Sequence, residues 1–534
     1  MITADQLLKQ GRRDEIWQKY CGFLDLTLQE FMAIQKELLQ EQLEQLSRCD
    51  LGRRLLGSHP PKSVEAFREQ VPLTTYQDYI PDLPEKRETV LPERPHIWAR
   101  TSGRVGEYAV KWIPHSKRMV HRMGRTAVAA MILASCSRRG EVLLDKDDSV
   151  LLGLAPRPYM PGHSAHAMTE HFHPRLMPSL EAMEQMGSLE QGQLGFQQAL
   201  ENGMDYFNGP VSVLVREGRR FEQAQNGVWP NPGVLLRPTM AVRLLSGLIK
   251  AKLKGRPMRP SDLWTLKGIM SSGIETNLYK DKIKQYWGRQ PFEVYGCAEG
   301  GTLACQGWNY KGLTFLPDLN FLEFIPHSEH LKSKDDPAYQ PATRLMDELG
   351  PGIYELVLTN FHGGSLARYR LGDLLEIISL RDEELGIDLP QATFYARADE
   401  IISLTGFTTL TERTIWQAIE DADIHYEDWT IRKEVWQEQP GLHLYLEPKP
   451  DQDYRVEEIQ AAISRHLQQV DSNYKDLQAM YGFDPLRVTL LKPGAFQRYF
   501  EDRQRAGADL ARLSLPHIQA PDDVIQRLQQ FENS

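Results

Sequence analysis

A chain of 534 residues, 41% hydrophobic and 25% charged, is globular and long enough for more than one domain; a peptide module or a disulfide-stapled fold is excluded. Its 62 Lys+Arg against 72 Asp+Glu leave a formal charge of −10, a balance that argues against a generic nucleic-acid or anionic-membrane binder. Five cysteines, Cys21, Cys49, Cys136, Cys297 and Cys305, include no CxxC pair, so reduced thiols in a cytoplasmic enzyme are expected.

The opening MITADQLLKQGRRDEIW reaches charged residues too early to form a signal-peptide core. Leu24, Leu28, Phe31, Ile34, Leu38, Leu39, Leu43 and Leu46 recur mostly at steps of three and four, which predicts an amphipathic helix over 24–47. Its stripe faces the core or, alternatively, a coiled-coil partner. Prolines from Pro60 to Pro95 break any long helix and predict short helices and connectors. TAVAAMILAS at 126–135 is about half the roughly 20 residues a membrane span needs and reads as a buried core helix.

From about 100 to 380, the β-rich runs SVLLGLAP, PVSVLVRE, LKGIMSSGI and PFEVYGC alternate with helical stretches. That order predicts an α/β fold, a sheet flanked by helices. GIYELVLTNF reads as a strand with two lined faces, and LLEIISL continues the strand-rich part. The character changes near Ala396. A short strand, a glycine bend and a helix capped by Thr411 are followed by LHLYLEPKP as strand, YRVEEIQAAISRHLQQV as helix and LRVTLLKPG as strand. A large N-terminal domain with helix-flanked β-sheets over 1–396 and a smaller α+β domain over 397–534 are therefore expected.

Chemistry gathers in three strings. In TSGRVGEYAVKWIP, Thr101 to Pro114, hydroxyls, glycines and Lys111 sit close together, the composition of a loop that offers N–H groups and an ammonium to phosphates. It is not a Walker A loop, because Lys111 is followed by WIP, which suits a strand; an ordinary hairpin is the other reading. In FEVYGCAEGG, Tyr295 and Glu299 stand at the carboxyl end of a strand, where open α/β sheets bind ligands. A carboxylate there can hold Mg²⁺ and a tyrosine can stack on a purine, or the string is a plain strand exit with a solvated Glu. In LARYRLGDLLEI, Asp373 can accept the hydroxyls of a ribose while Arg368 and Arg370 face phosphate, or the group is a structural Arg/Asp pair.

Taken in order and spacing, these strings resemble the ATP-binding motifs of the auxin-responsive GH-three family of acyl acid amido synthetases, a branch of the adenylate-forming superfamily, whose patterns look like TSGTTGxxKxIP, YxSSEG and YRxGD. VPLTTYQDY, GIYELVLTNFHGGSLARYRLGD and LLKPGAFQRYFEDRQRAGADL resemble the same family. The resemblance implies an ATP- and Mg²⁺-dependent ligase that adenylates a small carboxylic acid and passes the acyl group to an amino acid amine. By matching position, Thr101, Ser102, Gly103, Gly106 and Lys111 would line the phosphate loop. Tyr295 and Gly296 would pack on adenine, Glu299 would ligate Mg²⁺, and Asp373, with Arg370 and Arg397, would hold the nucleotide. Asp399 in ARADE is the candidate hinge to a mobile C-terminal lid. A small acid and an amino acid are the implied partners, without nucleic acid, membrane or obligate protein partner.

The chain departs from the pattern in three places. Arg104 and Val105 replace two hydroxyl residues; Arg104 either clamps pyrophosphate, as a catalytic cation, or points to solvent. Cys297 and Ala298 replace two serines, and packing is the expected role of Cys297. Ser514 stands where the superfamily carries a C-terminal lysine, with Arg512 as a substitute cation. His163, His166, His171 and His173 have a spacing that can ligate zinc, or they line an exposed loop or the acyl pocket. An acyl-CoA synthetase and a degenerate, non-catalytic nucleotide- or acid-binding member are the rival readings.

Overall fold

The computed structural model of the chain describes residues 2–57, 59–101, 110–223, 237–273, 275–336, 338–404, 408–436, 439–450, 452, 454–481, 483–505 and 515–530. Two compact units are present. The first comprises the chain up to Thr101, Lys111–Leu371 and Leu375–Phe394; the second comprises Gly372–Leu374 and the chain from Tyr395 onward. No helix among the described residues is long and apolar enough to cross a membrane.

Thr27 opens the first long helix, Leu28–Ser47, by accepting from the Glu30 N–H while the Glu30 carboxylate accepts from the Thr27 N–H. This reciprocal cap satisfies two of the orphan donors at the helix start. The buried face is rotated from the one the leucine spacing predicts: Gln35 and Gln42 are buried with Phe31, Leu39, Leu43 and Leu46, whereas Ile34 and Leu38 are half-buried. The reason is hydrogen bonding. Gln35 donates to the Asn320 carbonyl at 2.8 Å and accepts from the Leu322 N–H at 2.9 Å; Gln42 does the same with Gly364 and Gly363. Each amide satisfies backbone groups of another segment, which offsets the cost of burying it. The helix is core, not a coiled-coil partner.

From Pro60 to Pro95 the chain forms the short helices Val64–Gln70, Tyr76–Tyr79 and Glu88–Val90. The apolar run at 126–135 lies in the helix Lys117–Ser135, capped by Ser116 and buried along most of its length. It packs so closely on the helix Met160–Thr169 that a Cβ on Gly124 would come within 2.2 Å of the Ala167 carbonyl oxygen.

A two-stranded ribbon, β1 (Ile97–Arg100) with β2 (Trp112–His115), stands beside an eleven-stranded sheet. The sheet strands are β3 (Ser149–Leu152), β4 (Arg175–Met177), β5 (Tyr206–Asn208), β6 (Gly268–Ser271), β7 (Phe292–Cys297), β8 (Gly301–Gln306), β9 (Leu313–Phe315), β10 (Asn320–Pro326), β11 (Gly352–Asn360), β12 (Tyr369–Ser379) and β13 (Gln391–Arg397). Their order is β10-β11-β12-β13-β9-β8-β7-β6-β5-β3-β4. The β4-β3-β5-β6-β7 end is parallel and its neighbours β7-β8-β9 antiparallel, so β7 is where the sheet changes character. PVSVLVRE is the exception to the predicted strands. It lies in the helix Val211–Gln223, with Val211, Leu214 and Val215 buried; spacing of three and four, not alternation, sets its buried face.

In the second unit β14 (Ile401–Leu404) and β15 (Thr408–Thr411) pair antiparallel. A separate sheet joins β16 (Tyr426–Trp436), β17 (Gln439–Pro448) and β18 (Leu486–Leu490), antiparallel and then parallel. Thr411 caps the helix Glu412–Asp421 by accepting from the Thr414 N–H, as its place in the sequence predicts. The fold is α/β, a large sheet flanked by helices followed by a smaller α+β domain.

Candidate active site

The β1–β2 ribbon brackets residues 102–109. Ser102, Gly103, Arg104, Val105 and Gly106 lie outside the described residues, but the residues on either side, Thr101 and Val110, are described. Lys111 donates its N–H to the Thr101 hydroxyl at 3.0 Å, and the Thr101 N–H donates to the Lys111 carbonyl at 3.1 Å. Lys111 leads into a strand, as WIP predicts.

The Lys111 side chain reaches a second segment. Its Nζ lies 3.0 Å from the Tyr369 hydroxyl and 3.7 Å from Glu299 Oε1, and it sits over the rings of Tyr76 and Tyr369, 5.7 Å from each centroid. Glu299 is 8% exposed and Lys111 25%, so the pair interacts more strongly than an exposed ion pair would. Tyr369 is buried at the start of β12; burial, and then the nearby Glu299 carboxylate, push its phenol well above the usual tyrosine value, so it stays protonated. Burial also raises Tyr76, whose hydroxyl accepts from the Trp112 N–H at 2.9 Å. Tyr76 arrives because Thr74 pairs with the start of β12, exchanging backbone bonds with Arg368 and Arg370.

Glu299 stands in the tight turn between β7 and β8, and three consecutive carbonyls of that turn are each held by a buried side chain. His115 Nε2 donates to the Ala298 oxygen at 2.8 Å, Asn360 to the Glu299 oxygen at 2.9 Å, and Asn320 to the Gly300 oxygen at 2.8 Å. Burial lowers the His115 pKa to about 4, so the ring is neutral and its single N–H is the one given to Ala298. Cys297 accepts from the Gly300 N–H at 3.2 Å, a turn-closing role in keeping with packing rather than nucleophilic attack. Gly296 allows the strand to close on itself: a Cβ there would lie 2.6 Å from the Gly301 oxygen. Sequence reasoning missed His115, Asn320 and Asn360 as the supports of this carboxylate. Tyr369 and Tyr76 were legible only as members of the YRLGD and VPLTTYQDY strings.

Tyr295 is buried in β7, its ring 6.1 Å from that of Phe394. Arg368 and Arg370 are not directed at a common anion. Arg368, buried with φ +47°, donates to Glu323 and to the Arg68 and Val71 carbonyls, and Arg370 binds Glu355 and Ser333. Arg370, expected from sequence to face the nucleotide, is thus bonded to a carboxylate and a hydroxyl of its own chain. In the second unit Asp373, 5% exposed, is bonded by Arg397 at 3.0 Å, and Arg397 also reaches Asp399 at 3.3 Å. Arg512 and Ser514 lie outside the described residues.

The four histidines of the 163–173 stretch go to different places. His163 is buried, His166 meets Glu184, His171 donates to the His121 carbonyl, and His173 meets Asp5. They do not assemble the zinc site their spacing allows; a different trio, His121, Glu170 and His171, brings ligand atoms within 4.8 Å of one another.

The donor set suits a magnesium nucleotide. A pinned carboxylate is a hard oxygen ligand of the kind Mg²⁺ takes, and an ammonium beside it is a phosphate ligand. The GH3 family N-terminal domain matches residues 21–172 and the GH3 family central domain residues 313–395. A mouse protein named GH3 domain-containing protein is 25% identical over 213 residues, and the chain spans 38% of its length, with 38% of this chain covered. Among solved structures, the AtGH3.15 acyl acid amido synthetase in complex with 2,4-DB superposes with a TM-score of 0.68 at 15% identity, over 95% of each chain. A 2-hydroxyisobutyryl-CoA ligase in the postadenylation state superposes at 0.57 with 13% identity, over 100% of this chain and 94% of that one. The fold is that of adenylate-forming ligases.

Proposed function

The chain belongs to the GH3 family, and from that premise we propose that it is a cytoplasmic, ATP- and Mg²⁺-dependent ligase joining a small carboxylic acid to an amino acid. In the first step a carboxylate oxygen attacks the α-phosphorus of ATP, the bond to the β-phosphate oxygen breaks, and pyrophosphate leaves. In the second the amine attacks the acyl carbonyl, the bond to AMP breaks, and the amine proton passes to solvent.

The observation that carries this reading is the meeting of Lys111, Tyr369 and Glu299, from three distant parts of the chain, within hydrogen-bonding or ion-pair reach of one ammonium. Lys111 would neutralise charge gathering on the phosphates, with the protonated Tyr369 hydroxyl beside it as a neutral donor. Thr101, Ser102, Gly103, Arg104 and Gly106 would contribute the loop around the phosphates. Glu299 would hold Mg²⁺, which supplies Lewis-acid stabilisation of the phosphoryl oxygens. Asp373, oriented by Arg397, would accept the ribose hydroxyls, Tyr295 and Gly296 would border the adenine, and Asp399 would serve as the hinge to the C-terminal domain.

Pyrophosphate exchange into ATP across a panel of carboxylic acids tests the reading. Exchange is expected with at least one acid, falling about 10²- to 10³-fold in Lys111→Met, the loss typical of removing one transition-state donor. No exchange with any acid points instead to a non-catalytic binding protein. Adding amino acids or CoA to the active pair and weighing the product separates amide from thioester. The thioester reading draws on the fold shared with the CoA ligase and is favoured if only CoA discharges the adenylate.

A further inference from the structure

The helix Pro238–Leu253 is apolar on two opposite faces. Met240, Leu244, Gly247 and Ala251 are buried against the first unit. Val242, Leu245, Ile249 and Leu253 are 68%, 59%, 52% and 83% exposed. At about 100° per residue these four lie within roughly 80° of one another, diametrically opposite the buried face. Folding requires only one apolar stripe per helix. The second has no packing role in the described structure.

Charge around this stripe runs against the acidic whole. Between Glu222 and Asp262 the sequence holds no acidic residue and seven basic ones, Arg237, Arg243, Lys250, Lys252, Lys254, Arg256 and Arg259. Lys254 and Arg256 are paired with Asp262, and Arg237 with Glu201. Arg243, Lys250 and Lys252 make no ion pair with a carboxylate among the described residues. On the helical wheel the exposed Lys252 flanks the stripe on one side and the exposed Lys250 on the other, where long basic side chains extend from an apolar surface to polar surroundings, whereas Arg243 is half-buried and donates to the Leu200 carbonyl.

We propose that this helix is an interfacial contact that lays its exposed aliphatic stripe onto an anionic lipid surface. The dimensions favour a bilayer over a second copy of the chain. From Val242 to Leu253 the stripe measures about 17 Å by 10 Å, roughly 170 Å², from the helix rise and diameter. A stable protein–protein interface buries about 800 Å² on each partner. A second copy would also set cationic helix against cationic helix, which is repulsive. An interfacial helix with aliphatic residues on one face and flanking lysines needs no such area, since apolar burial and attraction to anionic headgroups act together. The net charge of −10 argued against this, but a membrane surface senses charge only within about a Debye length of roughly 10 Å.

Flotation of the full chain with vesicles tests the proposal. Binding is expected to phosphatidylcholine–phosphatidylserine vesicles at low salt, much weaker to phosphatidylcholine alone, and reduced as salt rises. Leu245→Glu/Ile249→Glu and, separately, Lys250→Glu/Lys252→Glu should each weaken binding at least about tenfold. Because these side chains are exposed, both variants should melt like the parent. Absence of binding to the anionic vesicles overturns the proposal, as does equal binding by both variants. An oligomer that the aliphatic double variant dissolves would assign the stripe to a second copy instead.

Discussion

Each carbonyl of the Glu299 turn depends on one side chain brought from elsewhere, so the position of that carboxylate is set by residues that do not touch it. His115 is the clearest case. It donates its one N–H to Ala298, and losing that donor leaves a carbonyl unsatisfied in a region with little access to water, at a cost of about 1–3 kcal/mol. For His115→Leu we expect a folded protein, destabilised by about that amount in urea titration. Its exchange kcat should fall about 10- to 100-fold, because the Glu299 carboxylate is no longer held in place. A variant with parental kcat would show that the turn holds itself. Asn360 and Asn320, bonded to each other as well as to the turn, act in the same way from the ends of β10 and β11.

Among the elements, close approach is the feature that decides packing. Gly124 lets the helix Lys117–Ser135 meet the helix Met160–Thr169 backbone to backbone, with the His171 ring beside it. The nearest obstruction to a larger side chain is main chain, which cannot rotate away. Gly124→Val should therefore cost about 1–3 kcal/mol or more in thermal or denaturant unfolding. Gly192, where a Cβ would meet nothing within 4 Å, should accept alanine with little change. The same scale shows where pattern reading succeeded and failed. Ser149–Leu152, Gly268–Ser271 and Phe292–Cys297 are strands as their apolar runs bounded by Gly or Pro predict. Val211–Gln223 is a helix although β-branched residues fill its start, because tertiary burial of every third or fourth residue outweighs a propensity difference worth only tenths of a kcal/mol per residue.

At the scale of the whole molecule the two units carry different electrostatic features. In the second unit His517 bonds Glu412 and Asp428 and stacks on Trp429 at 4.4 Å. Burial alone would lower its pKa, but the two carboxylates prevail and raise it from 6.5 to about 10. A folded value above the unfolded one means that the protonated imidazole stabilises the unit. That contribution is complete below about pH 6.5 and is lost progressively as pH rises toward 10. Melting of the C-terminal unit should therefore weaken across that window by as much as about 1.4 kcal/mol per pH unit from this group. His517→Gln should flatten that slope, and an unchanged pH profile would remove His517 as its source.

Most of the order of elements, Val211–Gln223 excepted, the aliphatic core helix, the cap at Thr411 and the three motif strings follow from sequence alone, because each depends on neighbours within a few residues or on spacing that a single element imposes. Lys111 and Glu299 were likewise legible, as chemistry placed at the edges of strands. What only the tertiary structure decided is which side chains those groups meet. Arg370 went to Glu355, the four histidines parted to different surroundings, and Gln35 and Gln42 turned inward, since hydrogen bonds between residues from 15 to 322 positions apart leave no local periodicity to read. The exposed stripe on Pro238–Leu253 belongs to the same class: its aliphatic residues are visible in the chain, but that they face away from the core is known only once the opposite face is seen to be buried.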